Sequence, residues 1–157
     1  MSINTERQGH TYAPSAAYQV SREAVREFAA AVKAEHPAHY DVDAARGLGY
    51  RDLLAPPTFA VVVAQRAEAA VINDPQAGID FSRVVHTEER FTHQEPVTAA
   101  DTLQAQTTLE RVRLMGAGAM VTTVTDIRTV EGAARATVTS SLLVRADETD
   151  DDAEEQT

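Results

Sequence analysis

One apolar run limits what this chain can fold into more than any other feature. Pro56 and Pro57 precede it and mark the start of a helix, because proline lacks the N–H that has no partner in a first helical turn anyway. Residues 58–64 are apolar on every side of a helical wheel, which is typical of a buried helix. A helix over 57–73 would be about 25 Å long, and its apolar part is too short to cross a membrane. We predict that the rest of the chain covers this helix.

The far end of the central helix is expected to meet water. Gln65, Arg66 and Glu68 are the polar residues that predict this exposure. Residues 73–75, Asn-Asp-Pro, would then end the helix.

Shorter elements precede the central helix. Ser21 is expected to cap a helix over 22–33, whose inward face is formed by Val25, Phe28, Ala29 and Val32. A short strand is predicted at 18–20, and a single helical turn closed by glycine at 43–49.

After the loop at 77–81 the hydrophobic period changes to two residues, which predicts strands. These strands are 83–95, 102–112, 119–130 and 134–145, and the breaks between them are short enough for antiparallel hairpins. An antiparallel meander covers an apolar helix most simply by curling around it, which predicts an α+β fold. An open edge of this sheet is expected to pair with a second copy or a related chain, since long bare edges are rare.

The composition predicts one domain with an acidic tail. The net charge is −10, and seven Asp and Glu residues in 147–157 contribute −7 of it, which leaves −3 for 1–146. We therefore predict a domain over 1–146 and a disordered tail over 147–157. The chain lacks cysteine and begins without the apolar core of an export signal, so the cytoplasm is the expected compartment. Its acidic balance argues against nucleic acid as a partner.

Four segments carry a more specific signal: AVKAEHPAH at 31–39, LGY at 48–50, LAPPTF at 54–59 and RVVH at 83–86. In this order they resemble the hot-dog-fold MaoC-like dehydratases, especially the FAS1-like, N-terminal-type domain and the non-catalytic-type subunits of mycobacterial (3R)-hydroxyacyl-carrier-protein dehydratases. The resemblance extends to Arg145. It implies a sheet wrapped around a long central helix, and reversible loss of water from a 3-hydroxyacyl thioester of coenzyme A or acyl carrier protein.

Catalytic members of this broader family use an Asp and a His, five positions apart in a D-x-N-P-x-H segment, to handle the water and the substrate proton. Residues 34–39 read A-E-H-P-A-H, so His39 falls on the histidine position while Ala34 replaces the aspartate. A lone histidine can still act as a general base at neutral pH. Glu35 is a possible substitute carboxylate. It is adjacent in sequence to the aspartate position, so its side chain would point in another direction.

The head of the central helix departs from the family pattern as well. The resemblance implies a glycine N–H there that binds the thioester oxygen, helped by the helix dipole. Pro57 occupies the matching position and has no N–H, and losing one such donor typically costs about two to three orders of magnitude in rate. The N–H groups of Thr58 and Phe59 could bind a shifted carbonyl, so Pro57, Thr58 and Phe59 are the predicted substrate-binding positions.

Simpler roles stay open for the histidines. His39 could merely bond a backbone carbonyl beside the Pro37 turn. His86 and His93 are an odd number of positions apart on one strand, which predicts opposite faces and no metal pair. We expect no metal site and no cofactor.

The main hypothesis is a subunit of an (R)-specific 3-hydroxyacyl thioester dehydratase or enoyl hydratase, which needs a partner chain with the Asp/His pair. It would pair as a heterodimer with a catalytic paralogue or as a homodimer. A second hypothesis is a self-sufficient, divergent enoyl-thioester hydratase that uses His39. The chain could also be a non-catalytic homodimeric acyl-thioester binding module, or a purely structural protein.

Overall fold

The computed structural model describes residues 3–116 and 118–145, so the predicted acidic tail lies outside the described residues. The helices are α1 (Arg22–Ala31), α2 (Val42–Gly47) and α3 (Ala60–Ile72), and the strands are β1 (Tyr18–Gln19), β2 (Val84–His93), β3 (Thr102–Met115), β4 (Gly118–Thr129) and β5 (Ala134–Arg145). The antiparallel sheet has the order β1-β3-β4-β5-β2, and α3 packs on β3, β4 and β5. The predicted α+β arrangement, a curled sheet around a central helix, is confirmed.

The first helix follows from its cap and its spacing. The Ser21 hydroxyl accepts the Ala24 N–H at 3.0 Å, and an N-cap bond of this kind stabilises a helix by about 1 kcal/mol. On the inward face, the Phe28 ring meets the Phe59 ring nearly at a right angle, with centroids 5.4 Å apart. The helix ends two residues earlier than predicted, because Lys33 has a φ of 56° in the left-handed region.

The central α-helix begins three residues later than predicted. Pro57–Phe59 forms a 3₁₀ turn, and the α-helix continues from Ala60 to Ile72. A 3₁₀ turn is a common first turn of an α-helix, and Pro57 fits its first position because the N–H that proline lacks would have no partner there. Within 3–116 and 118–145, no helix is both long and apolar enough to span a lipid bilayer.

One side of α3 is buried, and it includes the carboxyl group of Glu68. The buried residues are Ala60, Val63, Ala64, Ala67, Glu68 and Val71. Gln65 and Arg66 are exposed, as predicted. The prediction for Glu68 is wrong, because its position on the helix turns it toward the sheet, where it is 4% exposed and bonded to hydroxyl groups.

The interior consists of two apolar clusters separated by a polar band. The larger cluster surrounds Phe59 and Leu53, and the smaller one surrounds Leu109 and Val71. The buried polar residues between them are Glu68, Thr107, Thr123, Thr125 and Ser140. Each polar atom in this band needs a hydrogen-bond partner, because an unsatisfied buried group costs about 1–3 kcal/mol.

The two edges of the sheet differ. At the β3 edge, residues 9–15 form backbone hydrogen bonds with 105–109, such as Tyr12 N–H to the Thr107 carbonyl at 2.9 Å. At the other edge, no described residue forms a β-pair with the outer side of β2. The ten-residue strand β2 is therefore an open edge of this chain.

A β-bulge in β2 changes which residues face inward. The pairing with β5 shifts between His86 and Glu88, so Thr87 is an extra residue. Buried positions of β5 then oppose Val84, His86, Glu89, Phe91 and His93. The prediction that His86 and His93 lie on opposite faces is therefore wrong, because the extra residue cancels their odd separation.

Candidate active site

A short 3₁₀ turn positions the predicted histidine. Pro37 begins the turn, and the His36 ring caps it by accepting the Ala38 N–H at Nδ1, 3.1 Å away. His36 thus provides the acceptor that asparagine commonly provides at a helix N-cap. His39, at the end of the turn, is 7% exposed.

The backbone, rather than an acid, orients the His39 ring. Its Nδ1 lies 2.6 Å from the Leu54 carbonyl oxygen. A carbonyl only accepts, so in the neutral ring Nδ1 carries the hydrogen and Nε2 the lone pair. In the described part of the chain, every fully buried side-chain nitrogen or oxygen has a hydrogen-bond partner. Because Nε2 makes no hydrogen bond there, it reaches the surface.

No carboxylate among the described residues contacts this ring. Ala34, at the aspartate position, has only a methyl group, and its carbonyl accepts the Tyr40 hydroxyl at 2.8 Å. Glu35 is exposed. The described contacts of His39 are the Leu54 carbonyl and the rings of His36 and Tyr40. The ring therefore has a free acceptor but no acid beside it.

The head of α3 retains one free amide in the described region. Pro57 has no N–H, and the Phe59 N–H donates to the Pro56 carbonyl at 2.9 Å. The Thr58 N–H has no acceptor among the described residues, and Thr58 is exposed. Among the predicted substrate-binding positions, Thr58 keeps an available donor, whereas Phe59 has used its N–H and buries its side chain in the core.

A cavity of about 170 Å³ opens at the head of α3. Its lining residues are Tyr50, Leu54, Ala55, Pro56, Pro57, Ala60, His93, Pro96 and Val97. The lining is mostly apolar, and Tyr50 and His93 supply its polar side-chain groups. Leu54 connects the cavity to His39, because its carbonyl holds that ring. Pro57 lines the cavity directly, whereas His39 is not a lining residue and is linked to it through the Leu54 carbonyl.

Sequence reasoning missed both residues that bring polar side chains to this cavity, Tyr50 and His93. The His93 ring lies nearly parallel to that of Phe91, at 8°, with centroids 6.4 Å apart. Its position on the cavity side of β2 follows from the bulge in that strand, which no local sequence pattern predicts. Tyr50 belongs to the LGY motif, so the resemblance could have drawn attention to it. In the ranges that the structure describes, no three His, Asp or Glu residues are arranged to hold a metal ion.

An ion pair fixes the segment that leads to Leu54. The Arg22 guanidinium donates to Asp52 through Nε at 3.0 Å and Nη2 at 2.8 Å, which lowers the pKa of Asp52. Asp52 also accepts the Leu53 N–H at 2.8 Å. Helix α1 is thereby fastened to the backbone that orients His39.

A second charged cluster holds the segment 97–99, which lines the cavity through Val97. The buried Asp101 carboxylate accepts two bonds of 3.1 Å from Arg135, one of 3.0 Å from Arg51 and one of 3.0 Å from the Thr98 N–H. Residues 97–99 in turn pair with 53–55 through backbone hydrogen bonds of 2.8 and 2.9 Å. Asp101 therefore holds the segment 97–99, and that segment is joined to residues 53–55 by backbone hydrogen bonds.

The sequence has relatives over nearly its whole length. A family profile described as FAS1-like, dehydratase domain region, matches residues 7–138. The UPF0336 protein of Leifsonia xyli subsp. xyli is 45% identical over 146 residues, which are 93% of this chain and 98% of that protein. The UPF0336 protein of Saccharopolyspora erythraea is 40% identical over 155 residues, which are 99% of each.

Solved structures share the fold. The C-terminally truncated HadBC (3R-hydroxyacyl-ACP dehydratase) complex from Mycobacterium tuberculosis has a TM-score of 0.78 and 30% identity, over 87% of this chain and 96% of that chain. A protein described as a MaoC-like dehydratase has a TM-score of 0.82 and 30% identity, over 90% of this chain and 43% of that longer chain. The ChsH1-ChsH2 complex from the same Mycobacterium has a TM-score of 0.66 at 16% identity, over 90% and 91% of the two chains.

Proposed function

Because this chain belongs to the family of FAS1-like dehydratase domains, as its motifs predict, we propose that it is a subunit of an (R)-specific 3-hydroxyacyl thioester dehydratase or enoyl hydratase of fatty-acid metabolism. Its substrate would be an acyl thioester of coenzyme A or of acyl carrier protein. This chain would form part of the acyl site and stabilise the assembly, and a partner chain would supply the Asp/His pair. We place the complex in the cytoplasm, since the chain carries no cysteine.

The surroundings of His39 carry this proposal. Loss of water from a 3-hydroxyacyl thioester needs a base for the C2 proton, an acid for the departing hydroxyl and a donor for the thioester oxygen. His39 provides one proton acceptor, whereas Ala34 provides no carboxylate and Pro57 no N–H. Loss of an oxyanion donor costs about 10²–10³ in rate, and loss of an acid–base partner about 10²–10⁴. We therefore expect the chain alone to be nearly inert.

The open edge of β2 supports pairing with a second chain. A second hot-dog chain could place its own edge strand beside this ten-residue strand and satisfy the backbone groups that face outward. The HadBC relative, at 30% identity, is itself a complex. The partner could be a copy of this chain or a paralogue, and activity would require a paralogue that carries the full D-x-N-P-x-H segment.

A hydration assay with a crotonyl thioester tests this proposal. The decrease in the absorbance of the enoyl group measures the rate. The purified chain should be nearly inert, and co-expression with such a paralogue should give a stable, active mixed complex. In that complex, His39→Ala in this chain should change kcat/KM by less than about twofold, whereas replacing the histidine of the partner's segment should abolish turnover. Robust turnover by this chain alone, lost in His39→Ala, would overturn the proposal.

A specific observation also favours a second candidate, a self-sufficient divergent hydratase. The Nε2 lone pair of His39 reaches the surface, and the Thr58 N–H is available at the head of α3. A water activated by His39 and a thioester oxygen bound at Thr58 are compatible with these two features. This candidate predicts turnover without a partner, whereas a non-catalytic homodimeric binding module predicts thioester binding with no turnover even in the mixed complex.

A further inference from the structure

A pair of carboxyl groups lies between α3 and β2, with Glu68 in the polar band of the interior and Glu89 beside it, where its side chain is 22% exposed. Glu68 Oε1 accepts the Thr123 hydroxyl at 2.7 Å and lies 2.7 Å from Ser140 Oγ. The same Ser140 Oγ lies 3.0 and 2.9 Å from the two carboxyl oxygens of Glu89. Ser140 therefore bridges a carboxyl of the central helix to a carboxyl of the open edge strand.

The number of hydrogens in this bridge is too small for two ionised carboxylates. The Ser140 hydroxyl carries one hydrogen, and an ionised carboxylate can only accept. If Ser140 donates its hydrogen to Glu68, the contact between Ser140 and Glu89 needs a hydrogen from Glu89. If Ser140 donates to Glu89 instead, the contact with Glu68 needs a hydrogen from Glu68. One proton on either carboxyl supplies the missing hydrogen and satisfies both contacts.

The neighbouring groups favour keeping that proton. Within the described residues, no Lys or Arg forms an ion pair with either carboxyl, and β4 and β5 contribute only the uncharged hydroxyls of Thr123 and Ser140. On β2 itself, His86 Nδ1 lies 3.2 Å from Glu89 Oε1, and the His86 side chain is more exposed than that of Glu89. Burial raises the pKa of Glu89, the charge of Glu68 adds to this rise, and the bonds to Ser140 and His86 oppose it.

We propose that Glu68 and Glu89 share one proton through Ser140, and that this proton holds the edge strand β2 against the central helix. When the proton leaves, two negative charges face each other across one hydroxyl, and the strand loses its polar link to α3. Because β2 is the open edge, the proton also regulates pairing along that edge. This last consequence rests on the chain pairing in the proposed function, whereas the proton sharing does not.

The sign of the pH dependence follows from the raised pKa of Glu89. A carboxyl that binds its proton more tightly in the folded state adds stability that is fully present below the unfolded value of 4.5. This stability is lost as the pH rises through the folded value.

Thermal unfolding of the full chain between pH 4.5 and pH 8.5 tests the shared proton. Glu89→Gln and Glu68→Gln each replace one carboxyl by an amide, which always has a hydrogen to donate to Ser140 Oγ. We expect the Tm of each variant, relative to wild type, to rise steadily as the pH increases. The matched control is Glu88→Gln on the same strand, whose exposed side chain pairs with Arg90, and its Tm should keep a constant difference from wild type.

Two outcomes would overturn the inference: variants that follow the wild-type Tm at every pH, or variants that are equally destabilised at both ends of the range. If a variant fails to fold, the infrared band of a protonated carboxyl in wild-type protein decides. It should persist above pH 4.5, where ordinary carboxyl groups are ionised, and be lost on titration to higher pH, and a band that is absent above pH 4.5 would refute the sharing. Sedimentation of the mixed complex at both pH values measures the effect on pairing, separately from any dehydratase assay.

Discussion

Replacing Arg135 by alanine should destabilise the protein strongly, because it leaves a buried carboxylate poorly paired. The Asp101 side chain is 1% exposed, and the Arg135 guanidinium, 12% exposed, holds it with two bonds of 3.1 Å. Removing one partner of a buried ion pair costs about 3–5 kcal/mol. Arg51 also donates to Asp101, but its side chain is 66% exposed, so it should offset only part of the loss. We expect a decrease of about 2–4 kcal/mol in the free energy of unfolding.

Urea unfolding followed by circular dichroism measures this change, and the Tm should fall by about 5–15 °C. Arg128→Ala is a matched control, because Arg128 is exposed and donates to the Gly132 carbonyl at a long 3.4 Å, so its cost should stay below about 0.5 kcal/mol. Adding Asp101→Asn to Arg135→Ala removes the unpaired charge and keeps an acceptor for the Thr98 N–H, so the double variant should be more stable than the single one. A single variant that costs less than about 1 kcal/mol, or a double variant no more stable than it, would refute this reasoning.

Three further predictions concern the core, the N-terminal segment and the cavity. Phe59→Ala should cost about 3–5 kcal/mol in urea unfolding because Phe59 is fully buried, while Thr58→Ala should stay within about 0.5 kcal/mol. Burial and the bond to Asp74 raise the pKa of Tyr12 to about 12, so its stabilisation is present below the unfolded value of 10.0 and is lost as the pH rises through 12. Spectrophotometric titration should show the raised pKa of the Tyr12 hydroxyl, and Asp74→Asn should lower that pKa. In the mixed complex, Tyr50→Phe and His93→Ala should each weaken the binding of crotonyl-coenzyme A about three- to tenfold, as measured by calorimetry. Unchanged affinities would show that the cavity is not the thioester site.

The sequence determined the elements of this fold and their class. The proline-led apolar run gave the central helix, and Ser21 fixed the start of α1 at the predicted residue. Alternation predicted the last strand over 134–145, the range that β5 occupies. These features are local, because capping and hydrophobic period act between residues a few positions apart. The motifs also identified the family, since their order along the chain is a property of the sequence itself.

Only the tertiary structure decided which side chains meet. Glu68 belongs to a pattern that predicts solvent, yet it bonds to Thr123 and Ser140, which are 55 and 72 positions away. A single extra residue in β2 placed His86 and His93 on the same face of the strand, and His39 is oriented by a carbonyl 15 positions further along the chain. Such contacts depend on strand register and on the rotation of a helix against a sheet. A shift of one residue reverses which face a side chain occupies, and no local pattern records that shift.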